Sequence, residues 1–447
     1  MNAPLAMMFC IFVTLSAAAV NVYHVDGIRG NEDWDGSVSY ADRDEAAGKG
    51  PVKKLGTVFA KVTKTTSEDQ DGDIVYVYEG DYYGEGSANV AGSIPDGCKL
   101  IGVGDKTKIV IHGSGTTWAN RESEAAAASG VRRCLRLGNW VLVKGVTLRD
   151  GRASANGGAA TVGAGCYFVG CDFVENYTTE RGGALSSGNV TVIRCTFTDN
   201  DAKSTGDALM TTKAWNCVFS RTSATSADYI CYQNTCYNCL FLGSGKSAKS
   251  AKLYNCISVL DDSGACVLNH CVVNGMGSGT TKDDASIIGS LALLPDYRQK
   301  TLPVVEGDKT VFDEYPASRL VADEKGLDFN GVTRIYGGQV DVGPAERAPR
   351  AWYVNPDTAV GNDANAGDCP EFPKKTLVGA LTIASLASGD IVHAAAGDYR
   401  ENAKKSLNTH STWCRAVVPA GVGLVADAAN ATIYGSKSED VGGGVFA

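Results

Sequence analysis

The chain has 447 residues, more than one compact core normally holds, so several domains or a repeat array are expected. Gly occurs 53 times and Pro 12 times. This composition is typical of short strands joined by tight turns and excludes an all-helical protein. The net charge is -9, and the 41 Lys and Arg residues are scattered along the chain. A basic stripe that could bind a phosphate backbone is therefore excluded, and no nucleic-acid partner is expected.

Residues 1–19 have the pattern of a signal peptide. An apolar run from Leu5 to Val13 is followed by small residues from Ser16 to Ala19, as signal peptidase requires. A buried N-terminal strand or helix is the alternative interpretation. No later stretch approaches the ~20 apolar residues of a membrane helix. We therefore expect a protein that is secreted or presented on the outer surface.

Two segments far apart in the chain are related to each other. Both contain the same landmarks in the same order: Gly30-Asn31, Asp71-Gly72-Asp73-Ile74-Val75 and Gly80-Asp81-Tyr82 in the first, and Gly361-Asn362, Ser388-Gly389-Asp390-Ile391-Val392 and Gly397-Asp398-Tyr399 in the second. Between the landmarks, Leu377, Ala380, Leu381 and Ala384 have the spacing of one helix face. A helix laid across the first rung of a strand stack would cover its open edge. Both segments are therefore predicted to be N-terminal caps.

A short strand pattern with a central Cys recurs after the first cap. The copies are centred on Gly145, Cys171, Cys195, Cys217, Cys239, Cys256 and Cys271, at intervals of 26, 24, 22, 22, 17 and 15 residues. Three short strands and their turns consume about twenty residues, so this spacing predicts an all-β, right-handed, single-stranded parallel β-helix.

The predicted organisation has three parts. Residues 1–19 are the signal peptide. Residues 20–347 form a first β-helix module, with a cap at 20–113, rungs at 131–275 and a closing segment at 276–347. Residues 348–447 form a second cap and the first rungs of an incomplete module.

Alternation along each strand predicts which side chains face the interior. The interior set comprises the six Cys from Cys171 to Cys271, the four Phe at Phe173, Phe197, Phe219 and Phe241, and the residues two before each Cys, such as Val169 and Trp215. The outward position after each Cys changes from Asp172 and Thr196 to Val218, Leu240, Ile257 and Val272. An exposed apolar column would mark an interface. We expect the segment from Ile287 to Arg319 to cover it, unless this turn is simply less exposed.

Two known families are similar to parts of this sequence. Asp71-Gly72-Asp73-Ile74-Val75-Tyr76-Val77 with Gly80-Asp81-Tyr82 resembles the cap of the pectate-lyase-like right-handed β-helix superfamily, a likeness that covers most of the chain. About two rungs resemble the FxxN and GGA[ILV] repeats of polymorphic outer membrane proteins: Phe173-Val174-Glu175-Asn176, Gly182-Gly183-Ala184-Leu185 and Phe197-Thr198-Asp199-Asn200. The second likeness implies an adhesive surface without catalytic residues. The first superfamily includes pectate lyases and polygalacturonases and so implies polysaccharide cleavage.

Cleavage on such a scaffold requires charged side chains that point outward from adjacent rungs. Lyases use carboxylates that hold Ca²⁺ with a Lys or Arg base, and inverting hydrolases use carboxylates ~6.5 to 9.5 Å apart. The candidates are Asp172, Glu175, Asp199 and Arg194. In the outward column that contains Asp172, the preceding rung is expected to contribute Val146, so Asp172 is the only carboxylate there. Glu175 and Asp199 are expected at corresponding rung positions offset by one residue, where they could approach each other. Solvated turn residues are the alternative interpretation.

The cysteines divide into two groups. Cys369 and Cys414 flank the second cap, and in an exported protein they are the predicted disulfide. The ladder cysteines are expected to be free thiols that pack as small apolar side chains, because in-register Cβ atoms point the same way and would strain a disulfide.

No resident cofactor is expected. Ca²⁺ at the loop from Glu32 to Gly36 is a minor alternative to a simple turn, since Ala364 and Ala366 replace its acidic residues in the second copy.

Two functions follow as expectations. The first is a secreted or surface β-helix with a structural, adhesive or glycan-binding role, whose partner is a polysaccharide or cell-surface glycan. The alternative is a polysaccharide lyase or glycoside hydrolase. The stretch from Gly442 to Ala447 predicts the entrance to another rung, whose unpaired backbone could support self-association.

Overall fold

The computed structural model describes residues 20 to 433, except 66, 69–71, 84–92, 114–117, 127–131, 223–228, 263, 292, 294–296, 298, 300–304, 332–333, 335–339, 347–350, 384–389, 400–417, 419–421 and 428–429. The predicted signal peptide, Cys414 and the stretch from Gly442 to Ala447 lie outside the described residues. The predicted cleavage, disulfide and self-association therefore stay predictions. No helix in the described part of the chain is long and apolar enough to span a membrane.

Two long sheets contain most of the strands. The first sheet has 11 strands, in this order: Val22–Val25, Ile74–Val77, Lys99–Gly102, Leu142–Lys144, Cys166–Val169, Val190–Ile193, Lys213–Trp215, Thr235–Tyr237, Lys252–Tyr254, Val267–Asn269 and Thr281–Lys282. The second sheet has 10 strands: Gly80–Tyr83, Ile109–His112, Thr147–Arg149, Asp172–Val174, Thr196–Thr198, Val218–Arg221, Leu240–Gly243, Ile257–Ser258, Val272–Val273 and Ile287–Ile288.

Shorter sheets complete the coil. The third side is formed by Ser93–Ile94, Leu135–Leu137 and Ala160–Thr161, and then by Leu185–Ser186, Leu209–Met210, Tyr229–Tyr232 and Lys246–Lys249. A small corner sheet contains Arg152–Ala153, Tyr177–Thr178 and Asp201–Ala202. The C-terminal part has Ala351–Val354, Ile391–Ala394 and Gly423–Ala426 in one sheet, and Gly397–Tyr399 and Ala431–Ile433 in another.

All ladders between the strands given above are parallel. Each strand inside a sheet pairs with the strands one rung before and one rung after it. Phe173, for example, pairs with Leu148 and with Phe197. Consecutive strands of one rung belong to different sheets, which is the arrangement of a coil. The predicted right-handed parallel β-helix is confirmed.

Each rung turns sharply between its first-sheet and second-sheet strands. The turning residue has a left-handed backbone, with φ between 50° and 66°, at Gly145, Gly170, Arg194, Asn216, Asn238, Asn255 and His270. Gly and Asn are enriched there because they adopt this conformation at little cost. The predicted single strand is therefore two strands that meet at a corner. The corner breaks the alternation, so the prediction that Val169 and Trp215 face the interior is wrong.

The interior contains two stacked columns. All six ladder Cys are fully buried and unpaired, and the four Phe lie beside them. Successive Phe rings are parallel, with centroids 4.6, 4.9 and 5.0 Å apart. Each thiol is near the carbonyl two residues earlier, as Cys217 Sγ is 3.2 Å from Trp215 O. In place of Val169 and its equivalents, the interior holds Phe168, Val192, Ala214, Cys236 and Leu253.

The covering segment comprises residues 291–342, and its described residues lie along the outside of this coil. The segment contains the 3₁₀ helices Lys309–Glu314 and Arg319–Glu324. It packs Phe312, Tyr315 and other apolar residues onto an outward column of the first sheet: Val169, Ile193, Trp215, Tyr237 and Tyr254. The second-sheet column of Val218, Leu240, Ile257 and Val272 is also covered. Its cover comprises Leu291, Leu293, Tyr297 and Val305 from the predicted segment, and Phe329 and Val342 from beyond it.

The two related segments close their strand stacks in the same way. In the first, the backbone N–H groups of His24 and Asp26 donate to loop carbonyls at 2.8 and 2.9 Å. In the second, those of Tyr353 and Asn355 do so at 2.6 and 2.8 Å. These bonds occupy the donors at the leading edge of each stack, which would otherwise be open to pairing.

The helices in the described residues are short. α1 is Leu55–Phe59, α2 is Arg121–Ala126 and α3 is Leu377–Leu381, with further 3₁₀ helices at Tyr40–Asp42, Lys106–Lys108 and Trp118–Asn120. The buried residues of α1 join the main core, and those of α3 pack in the core of the C-terminal part.

Candidate functional site

The outer surface of the second sheet is polar over its first five strands. We call this surface the polar face and define it by these residues: Asp81, Tyr83, Lys106, His112, Arg149, Asp150, Asp172, Glu175 and Asp199. The parallel register places Tyr83, His112 and Arg149 at equivalent positions of three successive rungs. Equivalent positions repeat about every 4.8 Å, so the face presents a row of side chains along the axis of the coil.

His112 contacts three other residues of the polar face: Asp150, Asp81 and Tyr83. Its Nδ1 lies 3.2 Å from Asp150 Oδ2 and its Nε2 lies 3.1 Å from Asp81 Oδ1. Burial lowers the pKa of His112, but the hydrogen bonds that its ring donates to Asp150 and Asp81, together with the charges on these carboxylates, outweigh burial and raise the pKa. Only the imidazolium form has an N–H for each carboxylate, so this geometry favours the charged ring.

Tyr83 forms the exposed end of this group. Its ring is stacked on His112, with centroids 4.6 Å apart and an interplanar angle of 8°. Tyr83 is 56% exposed, which is a large fraction for an aromatic residue on a sheet. The group thus presents an exposed aromatic ring stacked on a histidine that contacts two carboxylates.

Arg149 lies on the next rung and contacts two carboxylates, one of which also contacts His112. Its Nη2 lies 2.7 Å from Glu175 Oε2, and its Nε lies 3.7 Å from Asp150 Oδ2. Asp150, Glu175 and Asp199 all have a left-handed backbone, with φ of 58°, 53° and 50°. Each of them directly follows a second-sheet strand, at the turn opposite the corner described above. They occupy equivalent positions on three consecutive rungs, because Val174 pairs with both Arg149 and Thr198. Glu175 and Asp199 are therefore in register, and the predicted offset of one residue is wrong.

Asp172 and Asp199 are held by neighbouring groups. Lys106 Nζ lies 2.7 Å from Asp172 Oδ1, and the Thr196 hydroxyl donates to the same oxygen. The backbone N–H of Thr222 donates to Asp199 Oδ1 at 2.7 Å. Thr147 pairs with Asp172 in the sheet, and Val146 is buried in the interior. The prediction that Val146 lies above Asp172 in the outward column is wrong, because Gly145 forms the corner.

Arg194 does not join the polar face. It is the corner residue of its rung, and its guanidinium contacts Glu324 of the covering segment. Glu324 also accepts from Lys144 Nζ at 2.7 Å. Arg194 therefore attaches the covering segment to the first sheet, and the prediction of a shared site with Glu175 and Asp199 is wrong for this residue.

Sequence reasoning missed most of this site. Glu175, Asp199 and Asp172 were found, but Tyr83, His112 and Arg149 were not. The available signal was the alternation of Asp81 with Tyr83 and of Val110 with His112, which places these side chains on one face. Assigning the cap strands to the same sheet as the rungs would have revealed it.

The described residues include no group of three or more His, Cys, Asp or Glu side chains arranged to hold a metal ion. In the loop from Glu32 to Gly36, Asp35 Oδ1 accepts from the Ser37 N–H at 2.8 Å, and Ca²⁺ there stays a prediction. This is the local hydrogen bonding of an Asx turn.

Comparison with known proteins gives distant similarities in structure. Pectin methylesterase PemA from Erwinia chrysanthemi superposes with a TM-score of 0.37 at 13% identity, covering 68% of this chain and 98% of that one. Pectin methylesterase from carrot gives 0.31 at 12%, covering 62% and 87%. The GH136 lacto-N-biosidase from Eubacterium ramulus gives 0.28 at 11%, covering 61% and 68%. No protein-family model matches the sequence, and no curated protein matches it.

Proposed function

We propose that this protein is secreted and binds an extracellular polysaccharide along the polar face. The observation that supports the proposal best is the exposed Tyr83 ring stacked on His112, which contacts Asp81 and pairs with Arg149 of the next rung. A pyranose ring has an apolar C–H face and a rim of hydroxyl groups. An exposed aromatic ring contacts the first, and charged groups with fixed positions hydrogen-bond the second.

The repeat of the coil suits a polymeric ligand. Beyond Arg149, the same outer column continues through Val174, Thr198 and Ser220 at one-rung spacing. The corner carboxylates Glu175 and Asp199 lie beside this column. A chain of sugars laid along the axis would contact several rungs at once. An adhesive role, as in the repeat family that two rungs resemble, would use the same surface.

Cleavage of the bound polysaccharide is a second candidate, favoured by one observation. His112, whose pKa is raised by Asp150 and Asp81 against the effect of burial, lies next to Arg149. A histidine side chain can donate or accept a proton, and a guanidinium can stabilise developing negative charge.

The binding proposal is tested with Tyr83→Ala and its matched control Tyr83→Phe, which keeps the ring. Affinity for a panel of soluble plant and bacterial polysaccharides is measured by calorimetry. We expect Tyr83→Ala to weaken binding about tenfold, equivalent to ~1.4 kcal/mol, and Tyr83→Phe to bind like the parent. Equal affinity of Tyr83→Ala and the parent protein would overturn the proposal.

The same incubations test cleavage. New reducing ends or unsaturated sugars, lost in His112→Gln while binding persists, would establish the second candidate. Binding without products leaves the protein a binding module.

A further inference from the structure

We infer that the polar face selects glycans without carboxylate groups over polyuronates. This inference rests on the proposed function and names the class of ligand for the same site. The inference follows from two features of the face. Its cations are already paired with carboxylates, and negative charge is exposed to solvent.

The cations of the polar face each lie against a carboxylate of the same face. Lys106 Nζ is 2.7 Å from Asp172, and Arg149 Nη2 is 2.7 Å from Glu175. His112 has a carboxylate at each ring nitrogen. A uronate ligand would have to replace one of these internal carboxylates before it gained an ion pair of its own.

The carboxylates of the polar face also outnumber its cations. The five carboxylates are Asp81, Asp150, Asp172, Glu175 and Asp199, against three cations at Lys106, His112 and Arg149. The buried guanidinium of Arg152, 3.7 Å from Asp150, brings the cations to four, still one fewer. The Asp81 side chain is 64% exposed, so negative charge lies at the outer edge beside Tyr83. Like charges on a polyuronate would be repelled there.

The hydrogen-bonding capacity of the face points the same way. Ionised carboxylates only accept hydrogen bonds, and sugar hydroxyls are donors. A hydroxyl-rich, uncharged chain can donate to Asp81, Glu175 and Asp199 without disturbing the internal pairs. Its C–H face can pack on Tyr83.

The test compares two forms of one polymer that differ in whether the carboxyl groups are methyl esters or free carboxylates. Highly methyl-esterified homogalacturonan and its saponified form are titrated into the full-length protein in EDTA, beside a neutral galactan and a neutral β-glucan. EDTA prevents divalent cations from bridging carboxylates. We expect the uncharged polymers to bind at least about tenfold more tightly than the saponified form.

Charge variants test the cause of the selectivity. Glu175→Gln removes the carboxylate nearest to the Arg149 guanidinium and leaves it only the 3.7 Å contact with Asp150, and Asp81→Asn removes the exposed negative charge. Each should raise the affinity for saponified homogalacturonan several-fold. The matched control is Asp33→Asn, at an exposed aspartate of the cap loop that is not among the residues of the polar face, which should leave this affinity unchanged.

The outcomes separate the two claims. If saponified homogalacturonan binds in EDTA as tightly as the esterified form, the inference is overturned while the binding proposal stands. If the charge variants leave the selectivity unaltered, the inference is also overturned. If none of the polymers binds, the proposed function fails and the inference fails with it.

Discussion

Glu324 of the covering segment pairs with Arg194 at the corner of a first-sheet rung, and its other carboxylate oxygen accepts from Lys144. The Glu324 side chain is only 6% exposed. This contact joins two parts of the chain 130 residues apart. The covering segment is thereby attached to the sheet by charge as well as by its apolar side chains.

Replacing this carboxylate should loosen the covering segment. Glu324→Gln leaves Arg194 without its counter-charge in a mostly buried position. We expect a loss of ~1–3 kcal/mol in the free energy of unfolding, because the half-exposed Lys144 adds little. Chemical denaturation measures it. The control Glu314→Gln, at an exposed position of the same segment, should cost less than about 0.5 kcal/mol. Equal effects of the two variants would contradict this role of Glu324.

Stability should fall as pH rises through the range in which Glu346 ionises. Burial, opposed by Arg334 and reinforced by Asp341, raises the pKa of Glu346 from 4.5 to about 8. A carboxyl with a raised folded-state pKa contributes stability below its unfolded pKa and loses it as pH rises to the folded value. Melting temperatures between pH 4.5 and pH 8 should therefore decline, and Glu346→Gln should reduce the decline. An identical pH profile in this variant would rule out the assignment.

The Phe column should be sensitive to truncation. Phe219 is fully buried between Phe197 and Phe241, with ring centroids 4.9 and 5.0 Å away. Phe219→Ala leaves a cavity in the stack, so we expect a loss of ~3–5 kcal/mol in unfolding free energy. Phe219→Leu fills much of that volume and should cost clearly less. The losses are measured by denaturant titration. Similar losses for the two variants would show that the cavity left in the Phe column does not cause the destabilisation.

The ladder thiols should resist alkylation in the folded protein. Burial raises the pKa of Cys171, Cys195 and Cys271 well above the ordinary range, so the reactive thiolate is disfavoured. Iodoacetamide at pH 8 followed by peptide mass spectrometry should find these residues unlabelled until denaturant is added. Rapid labelling of the native protein would contradict the buried ladder.

The recurrence of Cys and Phe predicted the coil, and the reason is geometric. Parallel rungs place like residues over like, so a column such as Cys171 and Cys195 is visible as a period in the sequence. Side-chain direction was less predictable, because one left-handed residue before each Cys reverses the alternation. Gly170 and Asn216 at that position were the signal, since both tolerate positive φ.

The candidate site was predictable only in part. Glu175 and Asp199 belong to recognisable rungs, and their chemistry could be assigned from the repeat. His112 and Tyr83 come from the cap, where strand spacing is irregular, so their position beside Arg149 depends on register that the sequence does not display. Arg194 was misplaced because the covering segment, which supplies Glu324, has no periodic pattern.

Hydrogen–deuterium exchange of the full-length protein, with and without a saturating neutral polysaccharide, tests the binding claim most directly. If the polar face is the site, protection will be confined to peptides that contain the second-sheet strands Gly80–Tyr83, Ile109–His112, Thr147–Arg149 and Asp172–Val174. Protection that appears instead on the covering segment, or on no part of the chain, would contradict it.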